Sequence, residues 1–244
     1  IGVDVARSAK TSNNASAIVV VRVRRDAKER VRELQAVNVV KLPNGLNFKQ
    51  QTVICKQMCA LYSAKAIVID INGLGKGLLD YMLDRNILDD GTELEPYDMI
   101  NTDYRSDYRD AKKLVYGIEA QKNNSEMITN FINVVEGSIL RILEHFDVNK
   151  ALDIPDEDFM VSDVLPFLRT ENFISEVQNI TVETIPGTGK LKIGQVVKAD
   201  KDIYSATIQV CWYVMTFCND ALPDEDEDFA SFFSTFISQP KIKR

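Results

Sequence analysis

Residues 1–6 read IGVDVA, and residues 66–70 read AIVID. Each stretch is a short apolar run of the kind that forms a buried strand, and each carries one aspartate, Asp4 or Asp70. An ionised carboxylate in apolar surroundings costs free energy unless a cation or hydrogen-bond donors meet it. Two such strands therefore suggest a metal ion that both carboxylates share. Asp200 and Asp202, which open the last long helical pattern, could complete that site.

The patterns around these strands predict one α/β domain with a mixed sheet. Three strands come first, and the short polar stretches between them favour antiparallel pairing. Strands and helices then alternate, which favours parallel strands with helices on both faces of the sheet. The predicted strands cover about 1–6, 16–24, 31–41, 66–71 and 97–101, with a hairpin at 181–197. The predicted helices cover about 47–62, 74–86, 124–144, 157–179 and 201–219.

The strand period decides where the two early carboxylates lie. Successive side chains of a strand point to opposite faces, so Asp4 and Asp70 each lie opposite the apolar face of their own strand. If the two strands are parallel neighbours, the carboxylates sit side by side at the edge where open α/β sheets bind ligands. Three hard oxygen ligands suit Mg²⁺ or Mn²⁺. Two such ions, held about 3.5–4 Å apart, can activate a water and stabilise the leaving oxygen of a phosphodiester.

Each acid also has a purely structural explanation. Asp70 could cap the helix that follows residues 72–73, and Asp200 and Asp202 are both good N-cap residues. Residues two apart on a helix point in different directions, so only one of this pair is expected to reach a metal. His145 is the only histidine and lies at a helix end, where capping explains it. This argues against histidine-rich zinc sites and against nucleases with paired catalytic histidines.

Composition excludes several classes of protein. The chain is 45% hydrophobic and 27% charged, as in soluble globular proteins, and no apolar run approaches the ~18 residues that span a bilayer. A net charge of −7 counts against strong autonomous binding to nucleic acid. The chain starts on a strand without Met, so we expect it to be one domain of a longer protein. Free buried thiols, indicating a reducing compartment, are expected at Cys55, Cys59, Cys211 and Cys218.

Three motifs, in this order along the chain, resemble the nuclease domain of tailed-bacteriophage terminase large subunits, which has a ribonuclease H-like fold. They are IGVDVARS at 1–8, IVIDINGLGKG at 67–77 and KDIYSA at 201–206. The resemblance runs from residue 1 to about 219, which we expect to form the nuclease domain. It leaves an acidic and aromatic tail at 220–244, which is expected either to pack on the domain as a helix or to dock to a partner such as the portal ring.

The resemblance implies an activity and its residues. Asp4, Asp70 and Asp202 would be the catalytic metal ligands, with Asp200 as the alternative third ligand. The implied cofactor is a pair of Mg²⁺ or Mn²⁺ ions, and the implied reaction is cleavage of double-stranded DNA to make genome ends during packaging. A packaging ATPase domain is expected before residue 1. The portal protein and the terminase small subunit are the implied partners, and the host cytoplasm is the implied location, without membrane contact.

Six basic residues are candidates for DNA contact, namely Arg7, Lys76, Arg105, Arg109, Lys190 and Lys192. Arg7 follows the first acidic strand, Lys76 opens a helix beside the site, and the two later arginines lie in a stretch with interleaved tyrosines that could equally be a solvated loop. Residues 186–191 read PGTGKL, which lacks the spacing of a phosphate-binding loop and favours a hairpin turn. Two rival hypotheses remain: a Holliday-junction resolvase of the same fold, and a non-catalytic DNA-docking or scaffold domain.

Overall fold

A seven-stranded mixed sheet forms the centre of the fold. The computed structural model describes residues 1–6, 15–144 and 161–219. The strands are β1 Gly2–Asp4, β2 Ala17–Arg25, β3 Val31–Lys41, β4 Ile67–Asp70, β5 Asn86–Ile87, β6 Glu93–Leu94, β7 Tyr97–Met99, β8 Lys112–Ile118, β9 Leu140–Arg141, β10 Ile180–Thr184 and β11 Leu191–Gln195. The helices are α1 Phe48–Leu61, α2 Leu74–Leu83, α3 Ala120–Glu136, α4 Val161–Gln178 and α5 Asp202–Phe217.

The strand order of the sheet is β7-β8-β4-β1-β2-β3-β9. The first three strands of the chain pair antiparallel, β1 with β2 and β2 with β3. Next, β4 pairs parallel with β1, and β8 pairs parallel with both β4 and β7. The predicted sheet of three antiparallel strands followed by parallel strands is therefore confirmed. The predicted hairpin is confirmed as well, because β10 and β11 form a separate two-stranded ribbon.

Helices cover both faces of the sheet, as predicted. On one face Val19 and Val68 pack in a core with α3 and α5, to which Phe131 and Trp212 contribute. On the other face, alternate residues of the same strands pack in a core with α1 and α2. Burial on both faces explains why β2 and β4 are almost continuously apolar in sequence.

The structure corrects the predicted elements between residues 97 and 144. It contains β8, an inner strand that the sequence analysis missed because the basic residues at its start resemble the preceding loop. The helix predicted at 124–144 runs from Ala120 to Glu136, and Gly137 ends it before β9 begins. A C-terminal glycine is a common helix stop, so this end could have been predicted.

Several other expectations concern single residues or segments. All four cysteines are free, and three of them are buried. None of the described helices combines the length and apolar composition needed to cross a bilayer. Arg7, His145 and the tail at 220–244 lie outside the described residues. The domain boundary at residue 219 stays a prediction.

Candidate active site

The register of the sheet brings the two early aspartates to the same edge. In the parallel pair β1 and β4, Gly2 lies beside Val68 and Val3 beside Ile69. The next residues, Asp4 and Asp70, are the last residues of their strands. Both therefore lie at the C-terminal edge, which is the usual ligand-binding edge of such sheets.

One pocket at this edge is lined by Asp4, Asp70 and Asp202, and its volume is about 500 Å³. Residues of α3, of the hairpin strand β11 and of the first two turns of α5 complete its lining. Three carboxylates that are 66 and 132 residues apart in the sequence thus face a common space. Among the residues that the structure describes, the charged ones that line the pocket are these three aspartates and Lys201.

The two late aspartates occupy different environments. Asp202 is the first residue of α5, its side chain is 2% exposed, and its Oδ2 accepts a hydrogen bond of 3.0 Å from the Ala15 N–H. Asp200 is half exposed, and its Oδ2 lies 2.6 Å from Lys41 Nζ. The same Nζ lies 3.8 Å from Asp202 Oδ2. Asp202 lines the pocket and Asp200 does not.

Asp70 is held by backbone donors. Its Oδ1 accepts from the Asn72 N–H at 3.0 Å and from the Ala120 N–H at 3.2 Å. Ala120 is the first residue of α3, whereas α2 begins after Gly73 without any side-chain cap. The interpretation of Asp70 as the cap of the following helix is therefore wrong. Asp70 accepts a bond from the first turn of α3 instead.

Two glycines allow the close backbone packing that shapes the pocket. A Cβ on Gly2 would lie 2.1 Å from the carbonyl oxygen of Ala206, so β1 and α5 approach more closely than any side chain permits. A Cβ on Gly75 would lie 1.6 Å from the carbonyl oxygen of Asp70, so α2 crosses directly over the end of β4. The strands that carry Asp4 and Asp70 are thus positioned by contacts that require glycine.

The pocket accumulates negative charge. Burial raises the pKa of Asp4 from 3.8 to about 7, and the charges of Asp202, Asp70 and Glu176 add to the rise while Lys201 opposes it. Burial also raises the pKa of Asp202, against the opposing effect of Lys41. Such groups are costly to ionise together without a cation.

Glu176 is an acid beside this pocket that the sequence analysis missed. It lies on α4, is 8% exposed, and its Oε2 accepts a hydrogen bond of 2.8 Å from the Tyr204 N–H. Burial raises the pKa of Glu176 to about 7, and the charge of Asp202 contributes. A signal was present, because Phe173, Glu176 and Val177 share one helix face by their spacing, and the two flanking residues are apolar.

The candidate DNA-contact residues are spread over the surface. Lys76 is exposed on α2, and Lys190 is exposed in the hairpin loop. Lys192 forms a 2.9 Å ion pair with Glu183 on the paired strand. This hairpin borders the pocket, since Ile193 lines it and the Leu191 N–H donates to Ser125 Oγ of α3 at 2.9 Å.

The two predicted arginines of the 104–109 stretch lie elsewhere. Arg105 donates to the carbonyl oxygens of Met99 and Thr102, and it lines a separate pocket with Asp80 and Asp84. Arg109 is exposed. The structure does not bring either arginine into the pocket of the three aspartates.

The pocket has the ligand type of a metal centre, but its side chains are not arranged as metal ligands. Carboxylate oxygens are the ligands that Mg²⁺ and Mn²⁺ prefer, and three of them face the pocket. However, within residues 1–6, 15–144 and 161–219 no group of three or more His, Cys, Asp or Glu side chains is arranged so that it could hold a metal ion. The donor type therefore fits a divalent cation, while the carboxylates are not already gathered around one.

Strand order and strand direction define a mixed α/β sheet of three antiparallel strands followed by parallel strands, with an acidic pocket at its C-terminal edge. No protein-family model and no curated protein matches the chain. Among solved structures, the chain is similar to the large terminase nuclease from the thermophilic phage G20c with bound magnesium. The two are 11% identical, the match covers 86% of this chain and 78% of that one, and the TM-score is 0.49. A structure of the same G20c nuclease with bound cobalt is also similar, with 11% identity, 80% coverage of each chain and a TM-score of 0.42.

Proposed function

We propose that the chain is a divalent-cation-dependent endonuclease that cuts double-stranded DNA, and that it makes genome ends during phage DNA packaging. The observation that carries the proposal is the shared pocket of Asp4, Asp70 and Asp202 at the C-terminal edge of the sheet. The raised pKa of Asp4 and of Asp202 supports it, because a bound cation would relieve the burial and repulsion that cause both rises.

In this proposal Asp4, Asp70 and Asp202 hold Mg²⁺ or Mn²⁺ through their carboxylate oxygens. Two such ions, when bound, supply an activated water and a stabilised leaving oxygen for phosphodiester hydrolysis. We expect cation binding to draw the three carboxylates together. The backbone donors at Asn72 and Ala120 occupy one oxygen of Asp70 and so fix the direction of its other oxygen.

The chain's basic residues have a separate part in the proposal. In this proposal Lys190 and Lys192 of the hairpin and Lys76 of α2 contact the DNA backbone. Phosphate contacts of this kind orient a duplex without specifying its sequence. With a net charge of −7, the chain is expected to bind DNA weakly by itself and to need the packaging ATPase domain for productive affinity.

The direct test is plasmid nicking and linearisation in Mn²⁺, Mg²⁺ or chelator. Asp4→Asn, Asp70→Asn and Asp202→Asn should each lower cleavage by at least ~100-fold, whereas Asp89→Asn, a change in the exposed turn after β5, should leave it unchanged. Asp200→Asn distinguishes the two candidate third ligands, and we expect it to retain cleavage. Retained cutting by the Asp4 variant would reject the assignment.

Substrate choice separates the proposal from its nearest rival. A packaging nuclease should cut linear duplex at least as well as a four-way junction, and preference for the junction would indicate a resolvase instead. Failure to bind Mn²⁺ at millimolar concentration in calorimetry would indicate a docking or scaffold domain.

The role in packaging needs a test in infected cells. A phage that carries Asp4→Asn in this chain should accumulate uncut concatemeric DNA in the host cytoplasm, visible by pulsed-field electrophoresis. The portal protein and the terminase small subunit should co-purify with the complete chain in both wild-type and variant infections. Unit-length genomes in the variant infection would contradict the proposed role.

A further inference from the structure

The helix that carries Asp202 begins without a cap of its own. Lys201, at the N-cap position of α5, makes no side-chain hydrogen bond to the helix. The Asp202 carboxylate does not provide the cap either, since it accepts the Ala15 N–H from a distant part of the chain. The first turn is nevertheless buried, with Ile203 at 0% and Tyr204 at 3% exposure. Buried N–H groups in a first helical turn need acceptors from elsewhere.

Glu176 provides that acceptor from α4. Its carboxylate accepts the Tyr204 N–H at 2.8 Å and also bonds the Ile203 N–H. Tyr204 is the third residue of α5, which is the position whose N–H an N-cap side chain ordinarily satisfies. A carboxylate beside a helix N-terminus also interacts favourably with the helix dipole. Glu176 therefore does from another helix what an N-cap residue does locally.

The position of Asp202 depends on this bond. Asp202 precedes Ile203 directly, so fraying of the first turn would move its carboxylate away from both the pocket and the Ala15 N–H. Glu176 is not among the residues that line the pocket, whereas Asp202 is. We propose that Glu176 is a positioning residue, which caps α5 and thereby holds Asp202 towards the pocket, and that it is not a metal ligand. The predicted effect on metal binding rests on the proposed function, whereas the capping role of Glu176 does not.

The test compares Glu176→Gln with Glu176→Ala. Glutamine keeps a carbonyl oxygen at the place of Oε2 and can still accept the Tyr204 N–H, whereas alanine removes the acceptor. For the alanine variant we expect roughly tenfold weaker Mn²⁺ binding in calorimetry, as for the loss of other residues that orient a ligand. The glutamine variant should bind Mn²⁺ within about threefold of the wild type. Val164→Ala, a buried change near the start of the same helix, controls for general loss of stability.

Amide hydrogen exchange of the metal-free protein gives a readout that does not depend on the proposed function. The Ala15 N–H bonds Asp202, so its protection reports where that carboxylate lies. Glu176→Ala should speed exchange at Ala15, Ile203 and Tyr204 together, and Glu176→Gln and Val164→Ala should not. Unchanged protection of Ala15 in the alanine variant would overturn the inference. Equal loss of Mn²⁺ binding in the glutamine and alanine variants would also overturn it, because that result identifies a ligand. If the wild type binds no Mn²⁺ but Ala15 is deprotected in the alanine variant, the proposed function fails and the positioning role stands.

Discussion

Replacing Asp4 by asparagine should stabilise the metal-free protein, although it should abolish cleavage. The Asp4 carboxyl is partly buried, and Asp202, Asp70 and Glu176 are the acids whose charges oppose its ionisation. At pH 8 the native state must hold this group ionised against a pKa of about 7, while the unfolded chain ionises it at about 3.8. Asparagine has nearly the same shape and no charge, so it removes both the burial cost and the repulsion.

The size of the effect follows from the pKa. A rise from 3.8 to about 7 corresponds to about 4 kcal/mol of free energy of unfolding at alkaline pH. The expected gain is smaller, about 1–3 kcal/mol, because the carboxylate keeps some contact with water and the new amide needs its own partners. For a domain of this size that gain raises the melting temperature by roughly 3–8 °C.

The sign of the pH dependence is a separate check. Between about pH 4 and pH 7 the native state binds more protons at Asp4 than the unfolded state does, so this group lowers stability as the pH rises through that window. The advantage of the Asp4→Asn variant should therefore be largest at pH 8 and fall to roughly two fifths of that value at pH 5. Below pH 4 the two proteins should converge.

Thermal unfolding followed by circular dichroism measures both the stability gain and its pH dependence with one set of samples. In chelator the variant should melt above the wild type, and in millimolar Mn²⁺ the order should reverse, because only the wild type gains from binding the ion. Asp89→Asn should match the wild type in both buffers. Two results would contradict this prediction: Asp4→Asn melting below the wild type in chelator at pH 8, or Mn²⁺ raising its melting temperature as much as that of the wild type.

Three further changes probe the surroundings of the pocket. Gly75→Ala should lower the free energy of unfolding in urea by at least about 3 kcal/mol, because its Cβ would meet the Asp70 carbonyl. Gly77→Ala should cost less, because its Cβ meets only the movable ring of Phe48. Equal costs for the two variants would contradict this prediction. Gln51→Ala should cost about 2–3 kcal/mol, since it removes the buried amide that bonds two carbonyls and the Ser16 hydroxyl, and a loss under 0.5 kcal/mol would be evidence against that network. Lys41→Met should move the pH midpoint of Mn²⁺ binding upward in calorimetry, because Lys41 lowers the pKa of Asp202, and an unchanged midpoint would exclude that coupling.

The part of the fold that could be predicted depends on local periodicity. Alternation along 1–6 and 66–71 predicts which face each aspartate occupies, and the structure has Ile1, Val3, Ile67 and Ile69 together in the opposite core, as expected. The strand β8 could not be recognised in the same way. It begins with two exposed lysines, and its apolar part is only five residues long. The start of α3 was also hidden, because Glu119 at its N-cap makes no capping hydrogen bond to the helix and the first turn is mostly polar.

The candidate site also has residues that the sequence predicts and residues that it does not. Its three aspartates could be proposed from sequence because each lies in or opens a recognisable element. The groups that shift the pKa of these aspartates could not be proposed from sequence. Lys41, for example, reaches Asp200 and Asp202 from the end of β3, about 160 residues earlier in the chain. Glu176 has a sequence signal in its place on an apolar helix face, but its contact with Tyr204 depends on how α4 packs against α5. Such contacts are set by tertiary packing, which a local sequence pattern does not predict.

Asp26 is an aspartate with a structural role, and its pKa shifts in the opposite direction to that of Asp4. Burial acts to raise the pKa of Asp26, but hydrogen bonds from Arg30 and Lys28 outweigh it and lower the pKa. A carboxylate that serves the fold is thus ionised easily because donors surround it. At Asp4 burial raises the pKa, and the negative charges of Asp202, Asp70 and Glu176 add to the rise. In the proposed function, a cation bound in the pocket would relieve the cost of ionising Asp4 near Asp202 and Asp70. If a cation relieves this cost, the metal-free protein is the less stable one. The stability of the Asp4→Asn variant in chelator is therefore a stricter test than its loss of activity.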